Sequence, residues 1–291
     1  MKWLFFKLAF FYARVYGYFC YYRKKRRRKE IEDKFTFFLG ERLDSRKRKE
    51  MVRHIFELRG SRKVMHYLIP LLDDRMIKKF YKLEGFHHLN QVLGEGRGVV
   101  LMAGHLGNPH LAFCGVRSMG YPLIVIKGGA PRQVKPQKFR YRENLEDTIF
   151  IHDIYDPELA ADYKERILET LRSGKVIHYY GDAKEGKRKE RATFLGREMD
   201  FPTGMVLLAH RAGAAIIPCI HLYDQGRITI LLKEPIDHAW EKGEGEYKRI
   251  VSEFANLLET YILNSPEQYM GVYGPTVLSE YYNSHHDEKR T

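Results

Sequence analysis

Residues 98–110 read GVVLMAGHLGNPH. The apolar run from Val99 to Ala103 reads as a buried strand, and Gly104-His105 closes it. Asn108 is a good helix N-cap and Pro109 suits the first helical position, so NPHLAFCGVRSMG (108–120) opens a helix directly behind the strand. The same alternation continues downstream: PLIVIK (122–127) as strand, ELAADYKERILETLRSG (158–174) as helix, KVIHYYGD (175–182) as strand and TGMVLLAHRAG (203–213) as helix. Two strands then follow in succession, AAIIPCIHLY (214–223) and RITILLKEPI (227–236). Strands alternating with helices and ending on paired strands predict an α/β fold, a mixed sheet flanked by helices. Upstream, residues 30–95 read as largely helical. Ser45 serves as an N-cap, Met51, Ile55, Phe56 and Leu58 are apolar positions, and Gly85, Gly94, Gly96 and Gly98 punctuate a strand, a helix and a turn.

A chain of 291 residues with 44% hydrophobic content buries a sizeable core in one large domain with a small appendage. Its formal charge of +13 implies an anionic partner: nucleic acid, an anionic membrane surface, or an acidic carrier or substrate. Cys20, Cys114 and Cys219 are far apart and form no CxxC pair, which suggests neither a disulfide framework nor a zinc ribbon and fits a reducing cytoplasmic setting.

The N-terminus selects among the partners. MKWLFFKLAFFYARVYGYFCYY (1–22) is aromatic and aliphatic, and RKKRRRK (23–29) follows it. A spanning helix needs about 20 mostly apolar residues, and Lys7 and Arg14 interrupt this one. On a helix those two bases share a face and leave Leu4, Phe5, Leu8, Phe11, Tyr12 and Val15 largely on the other. The expectation is an N-terminal membrane-anchoring helix, lying in the interface or spanning once, with the basic run on the cytoplasmic side against anionic lipid. No small-residue cleavage site marks a removed signal peptide. A basic run alone also fits a nucleic-acid arm, but an aromatic segment almost free of acids directly before it fits an anchor better, so no nucleic acid is expected as a partner.

Polar residues at the C-terminal ends of strands mark the crevice of an α/β sheet. Two strand ends qualify, Gly104-His105 and Gly181-Asp182. His105 lies just before a helix start whose exposed N–H groups suit an oxyanion, and a base beside an anion cradle is an acyl-transfer arrangement.

LEGFHHLNQVLGEGRGVVLMAGHLGNPHL, followed in order by GDAKEG, ATFLGREMDFPTGMVLLAHRAGAAIIP and PEQYMGVY, resembles the late acyltransferases of lipid A biosynthesis and their lysophospholipid acyltransferase-like relatives over roughly residues 80–275. The resemblance implies a glycerol-3-phosphate acyltransferase-like fold and a division into residues 1–29 (anchor and basic run), 30–84 (helical lead-in) and 85–291 (acyltransferase domain). It also implies no cofactor and a place on the cytoplasmic face of the bacterial inner membrane. The implied reaction moves a fatty acyl chain from acyl carrier protein, or acyl-CoA, to a hydroxyl of a membrane lipid such as a lipid A precursor, a phospholipid or a lipid-linked glycan.

The family signature is a histidine, four residues, then Glu or Asp. His105 matches the histidine, expected to take the proton from the acceptor hydroxyl as that oxygen attacks the thioester; the acidic position is His110. A carboxylate there would fix the tautomer of His105 and stabilise its imidazolium. A histidine in the first turn of a helix sits at the positive end of the dipole and stays neutral, able to orient His105 but not to supply charge. The missing charge is expected from Asp182, with Glu143, Glu146 and Asp147 as a weaker source. The family's arginine after the second core strand maps to Arg140 or Arg142, with phosphate or carrier binding as its implied role. Asn108 at the helix start, and Thr203 and Gly204 at the next, are further candidate substrate contacts. KEGKRKERA (184–192) reads as a solvated loop, and His152, His178, His210 and His221 as structural. His110 and Cys114 share a helical face near His105, a possible zinc set, but Cys114 in LAFCGV reads as a buried core residue and no metal is expected. With the acid replaced, the alternative is a weak or inactive relative acting as a lipid-binding or assembly subunit.

Overall fold

The alternating strands assemble into a single sheet in the structure, a computed structural model that describes residues 2–40, 44–68, 79–127, 148–150, 159–224, 227–236, 244–272, 274 and 276–287. The strands are β1 (Tyr81–Glu84), β2 (Val99–Ala103), β3 (Leu123–Lys127), β4 (Thr148–Phe150), β5 (Val176–Tyr180), a hairpin β6 (Lys189–Phe194) and β7 (Arg197–Pro202), then β8 (Ala215–Asp224) and β9 (Arg227–Leu232). Seven of them form the order β1-β9-β8-β2-β5-β3-β4, and β6-β7 pair separately. From β8 through β4 all neighbours are parallel, whereas β9 turns back antiparallel on β8 and carries β1 parallel to itself. This is a mixed, mostly parallel sheet. Lys189–Arg191, expected in a solvated loop, instead begin β6, where alternate side chains are buried (Ala192, Phe194) and exposed (Arg191, Thr193).

Helices cover both faces, so the central strands are apolar throughout rather than alternating. On one face Val100, Met102, Ile177, Tyr179 and Ile216 pack against α6 (Ala160–Arg172), α7 (Gly204–Ala212) and α8 (Glu244–Asn264). On the other, Val99, Leu101, Ala103 and Ile217 pack against α4 (Phe86–Gly94) and α5 (Pro109–Ser118). The helix behind β2 starts at Pro109, where the Asn-Pro pair places it.

The N-terminal segment is three helices, α1 (Lys2–Arg23), α2 (Lys25–Leu39) and α3 (Ser45–Leu68). They share the body's core: Ile31, Phe35, Val52, Ile55 and Phe56 belong to the same cluster as Phe194 and Tyr269. α1 lies along α3 at close range, because Ala13, Gly17 and Gly60 have almost no side chain at the crossing, and a Cβ on Gly17 would strike the Phe56 carbonyl. Among the described residues no helix is long and apolar enough to cross a membrane. The single-pass alternative is therefore set aside; the bases and tyrosines within α1 dilute its apolarity, and one side of it is taken up by α3. The opposite side exposes Phe5, Leu8, Phe11, Tyr12, Val15, Phe19 and Tyr22.

Candidate active site

The register of β2 and β5 builds the site. Ala103 pairs with Tyr180, so the next two residues of each strand, Gly104-His105 and Gly181-Asp182, leave the sheet side by side. The Gly181 amide donates to the Ala103 carbonyl (2.8 Å) and continues the ladder one step beyond the strands. Both glycines lie against packed side chains: a Cβ on Gly104 would meet Leu258, and one on Gly181 would meet Met102 and Phe254.

Asp182 is fully buried, and its two oxygens are both engaged by His105. Oδ1 lies 2.7 Å from Nδ1 of His105, and Oδ2 accepts the His105 backbone N–H at 3.0 Å. A carboxylate only accepts, so the ring proton sits on Nδ1 and Nε2 is left to take a proton. The imidazole stacks on Tyr180 with ring centres 4.4 Å apart, and its side chain is 17% exposed. Burial pushes the His105 pKa down, but the Asp182 charge, the hydrogen bond to it and the more distant Glu185 push it up, and the net shift is upward.

A third group holds Asp182. The hydroxyl of Tyr269, 1% exposed, donates to Oδ2 at 2.9 Å. Tyr269 lies between two short 3-10 turns, Pro266–Gln268 and Met270–Val272, that run across both strand ends. Met270 N–H donates to the His105 carbonyl (2.7 Å), Gly107 N–H to the Gln268 carbonyl (3.0 Å) and Val277 N–H to the Asp182 carbonyl (3.0 Å). Leu106 forms an isolated bridge with Tyr269, and Ala183 one with Thr276. Gly107 has φ +63°, and a Cβ there would hit the His221 carbonyl, so the turn after His105 requires glycine.

The structure thus brings His105 and Asp182 together, while other candidates fare differently. Arg140, Arg142, Glu143, Glu146, Asp147 and His152 lie outside the described residues, as does the side chain of His110, whose backbone is in the first turn of α5. Asn108 precedes that helix and is 4% exposed, with its carbonyl accepting Ala112 N–H. The amides of His105 and Gly107 are spent on Asp182 and Gln268, so neither meets an oxyanion. Thr203 is the N-cap residue of α7, but its own N–H donates to the Arg188 carbonyl at 3.0 Å, leaving the exposed Gly204 as the first available amide. Gly204 opens onto a cavity of about 430 Å³ between α6 and α7, lined by Ile126, Tyr179 and Met205 and by the charged Glu185, Lys187 and Arg211. Among the described residues no group of three His, Cys, Asp or Glu is placed to hold a metal, and Cys114 is a buried core residue.

Behind His105, His178 stacks on His221 at 5.4 Å, and His221 Nε2 lies 3.2 Å from Cys219 Sγ. Burial, with the nearby His105 adding to it, pushes the His221 pKa down to about 3. His210 is bonded to the Tyr247 hydroxyl. Nothing in the sequence marks Tyr269 or Tyr180 as site residues; PEQYMGVY carries only its order along the chain, with nothing to say which side chain turns inward.

A family model described as bacterial lipid A biosynthesis acyltransferase matches residues 5–272. No curated protein matches the chain. Among solved structures, the 1-acyl-sn-glycerophosphate acyltransferase PlsC from Thermotoga maritima is similar at 15% identity, covering 89% of this chain and 95% of that one with a TM-score of 0.42.

Proposed function

Since the chain belongs to the bacterial lipid A biosynthesis acyltransferase family, we propose that it transfers a fatty acyl chain from acyl carrier protein or acyl-CoA to a hydroxyl of a membrane lipid, with His105 as general base. One observation carries this reading: the Nδ1 of His105 is bound to a fully buried carboxylate at 2.7 Å. That contact sets the tautomer, aims Nε2 at the acceptor hydroxyl and stabilises the imidazolium as the proton arrives. The alkoxide oxygen then adds to the thioester carbonyl, and collapse expels the thiolate, which recovers the proton from His105. The acid missing at position 110 is thereby supplied from the neighbouring strand end.

Membrane contact is the second part of the proposal, with residues 1–29 as the lipid-facing segment, 30–84 as the helical lead-in and 85–291 as the catalytic part. The exposed row Phe5, Leu8, Tyr12, Val15, Phe19 and Tyr22 advances by alternating three and four residues, so it forms one stripe along α1. Arg23, Lys24, Lys25 and Arg26 are exposed at its end. An apolar stripe ending in cations suits a helix lying in an anionic interface, on the cytoplasmic leaflet where such lipids face the acyl carrier. The apolar cavity beside Gly204 suits the aliphatic part of a substrate, and the bases lining it an anionic head.

Incubating the protein with acyl carrier protein or CoA thioesters and a lipid A precursor or phospholipid in vesicles should give a mass increase of one acyl group. His105→Ala should lower that rate by about 10²–10⁴-fold. Undiminished transfer by His105→Ala removes the base assignment. No transfer from either donor to any acceptor favours the inactive, lipid-binding relative.

A further inference from the structure

We infer that Tyr269 is a positioning residue that works through Asp182: its hydroxyl clamps the carboxylate that orients the His105 imidazole. The inference rests on His105 being the base.

Three donors meet Asp182 and they divide its oxygens. Oδ1 serves only the imidazole among the described residues, whereas Oδ2 takes the His105 amide and the Tyr269 hydroxyl. The amide belongs to the residue being oriented, so it moves with His105 and cannot hold the carboxylate still. Tyr269 belongs to a different part of the chain and supplies the external reference. Its ring is itself confined. It packs edge-on to Phe194 with centres 6.3 Å apart, and a Cβ on Gly271 would strike its ring, so only glycine leaves space for it there. Gly271 is fastened in turn, since its carbonyl accepts the hydroxyls of Thr276 (2.6 Å) and Ser279 (2.7 Å).

The backbone around Tyr269 does the same at larger scale. Residues 268–270 bond to the main chain on both sides of Leu106, and residues 276–277 bond to the main chain of Asp182 and Ala183. One strap therefore fixes the end of β2 and the end of β5 together, and the tyrosine between its attachments reaches the carboxylate between them. Gln268 anchors the strap to the sheet by accepting Tyr223 N–H at 2.7 Å. A buried phenol needs a partner, but any acceptor would satisfy it; this one is the oxygen that shares its carboxylate with the reacting histidine.

Two variants at one position test the clamp. Tyr269→Phe removes one oxygen and keeps the ring on Gly271. Replacement of Tyr269 by 3,5-difluorotyrosine keeps the shape and strengthens the donor. The phenylalanine variant should lower kcat about ten- to a hundredfold, leave KM for donor and acceptor unchanged, and raise the acidic limb of the kcat/KM profile, because Asp182 no longer shares its charge. The difluorotyrosine variant should lower that limb. The strongly deshielded Nδ1 proton of His105 in the resting protein should move in opposite directions in the two variants. Parental kcat in Tyr269→Phe overturns the inference. So does a fall in kcat with the pH limb and proton resonance unmoved, which is the result of a packing role alone. The resonance needs no turnover, so it still judges the clamp if the acyl-transfer reading itself fails. Should Tyr269→Phe not fold, the difluorotyrosine protein decides: an unmoved resonance overturns the inference.

Discussion

Burial pulls the pKa of His105 down and the Asp182 carboxylate pulls it up, and the carboxylate wins. A general base acts in its neutral form, so kcat/KM should rise with pH through a limb above the ordinary histidine value of about 6.5. Asp182→Asn removes the charge and leaves burial, the largest influence, opposed only by the more distant Glu185. The limb should then fall below about 6.5 while the rate drops by about 10⁴-fold, since the amide also permits the wrong tautomer. A pH–rate profile of parent and variant checks both signs. A limb that stays in place on Asp182→Asn assigns the titrating group elsewhere. The sequence made His105 and Asp182 legible as strand-end residues. It left open whether Asp182, the Glu143, Glu146 and Asp147 group or a second histidine faced Nδ1, because that choice depends on strand adjacency and not on spacing along the chain.

At the scale of elements, α1 is apolar on both sides for two different reasons. Ala9, Phe10 and Ala13 turn inward, and Phe10 meets the rings of Phe80 (6.2 Å) and Tyr223 (6.3 Å). The outward stripe has Phe11 68% and Phe19 55% exposed, more apolar surface than solvent-facing helices ordinarily carry. Burying a phenylalanine is worth about 2 kcal/mol. A Phe11→Glu, Phe19→Glu variant should therefore bind anionic vesicles at least a hundredfold more weakly in a flotation assay, with its circular dichroism spectrum unchanged. Equal binding by the variant assigns lipid contact to another surface. Helical periodicity foretold most of this face, since Phe5, Leu8 and Tyr12 lie well around the helix from Arg14. What it did not foretell was that a second helix covers the other side.

For the whole molecule, that covering makes the N-terminus part of the fold and not an appendage. α3 packs against α1 on one side and against the turn Pro266–Gln268 on another, so a continuous path of packing joins the proposed lipid-facing helix to the strap over His105. Deleting residues 1–23 should therefore lower the thermal midpoint of the remaining chain and weaken acyl transfer even to a detergent-dispersed acceptor. A detachable anchor would give neither effect. Differential scanning fluorimetry and a detergent assay distinguish the two outcomes.

Residue order alone fixes the layered α/β class, the strand carrying His105, the helix start at Pro109 and the apolar and basic ends of the first helix. These are local properties: apolar run length, capping chemistry and helical angle each depend on a few neighbouring residues. Only the tertiary structure decided that β5 lies beside β2, that Asp182 thereby reaches Nδ1, and that Tyr269, 87 residues further on, closes over the same carboxylate. Parallel strands are joined by long crossovers, so their lateral order leaves no trace in residue spacing. A buried carboxylate draws its partners from whichever elements the packing brings within about 3 Å.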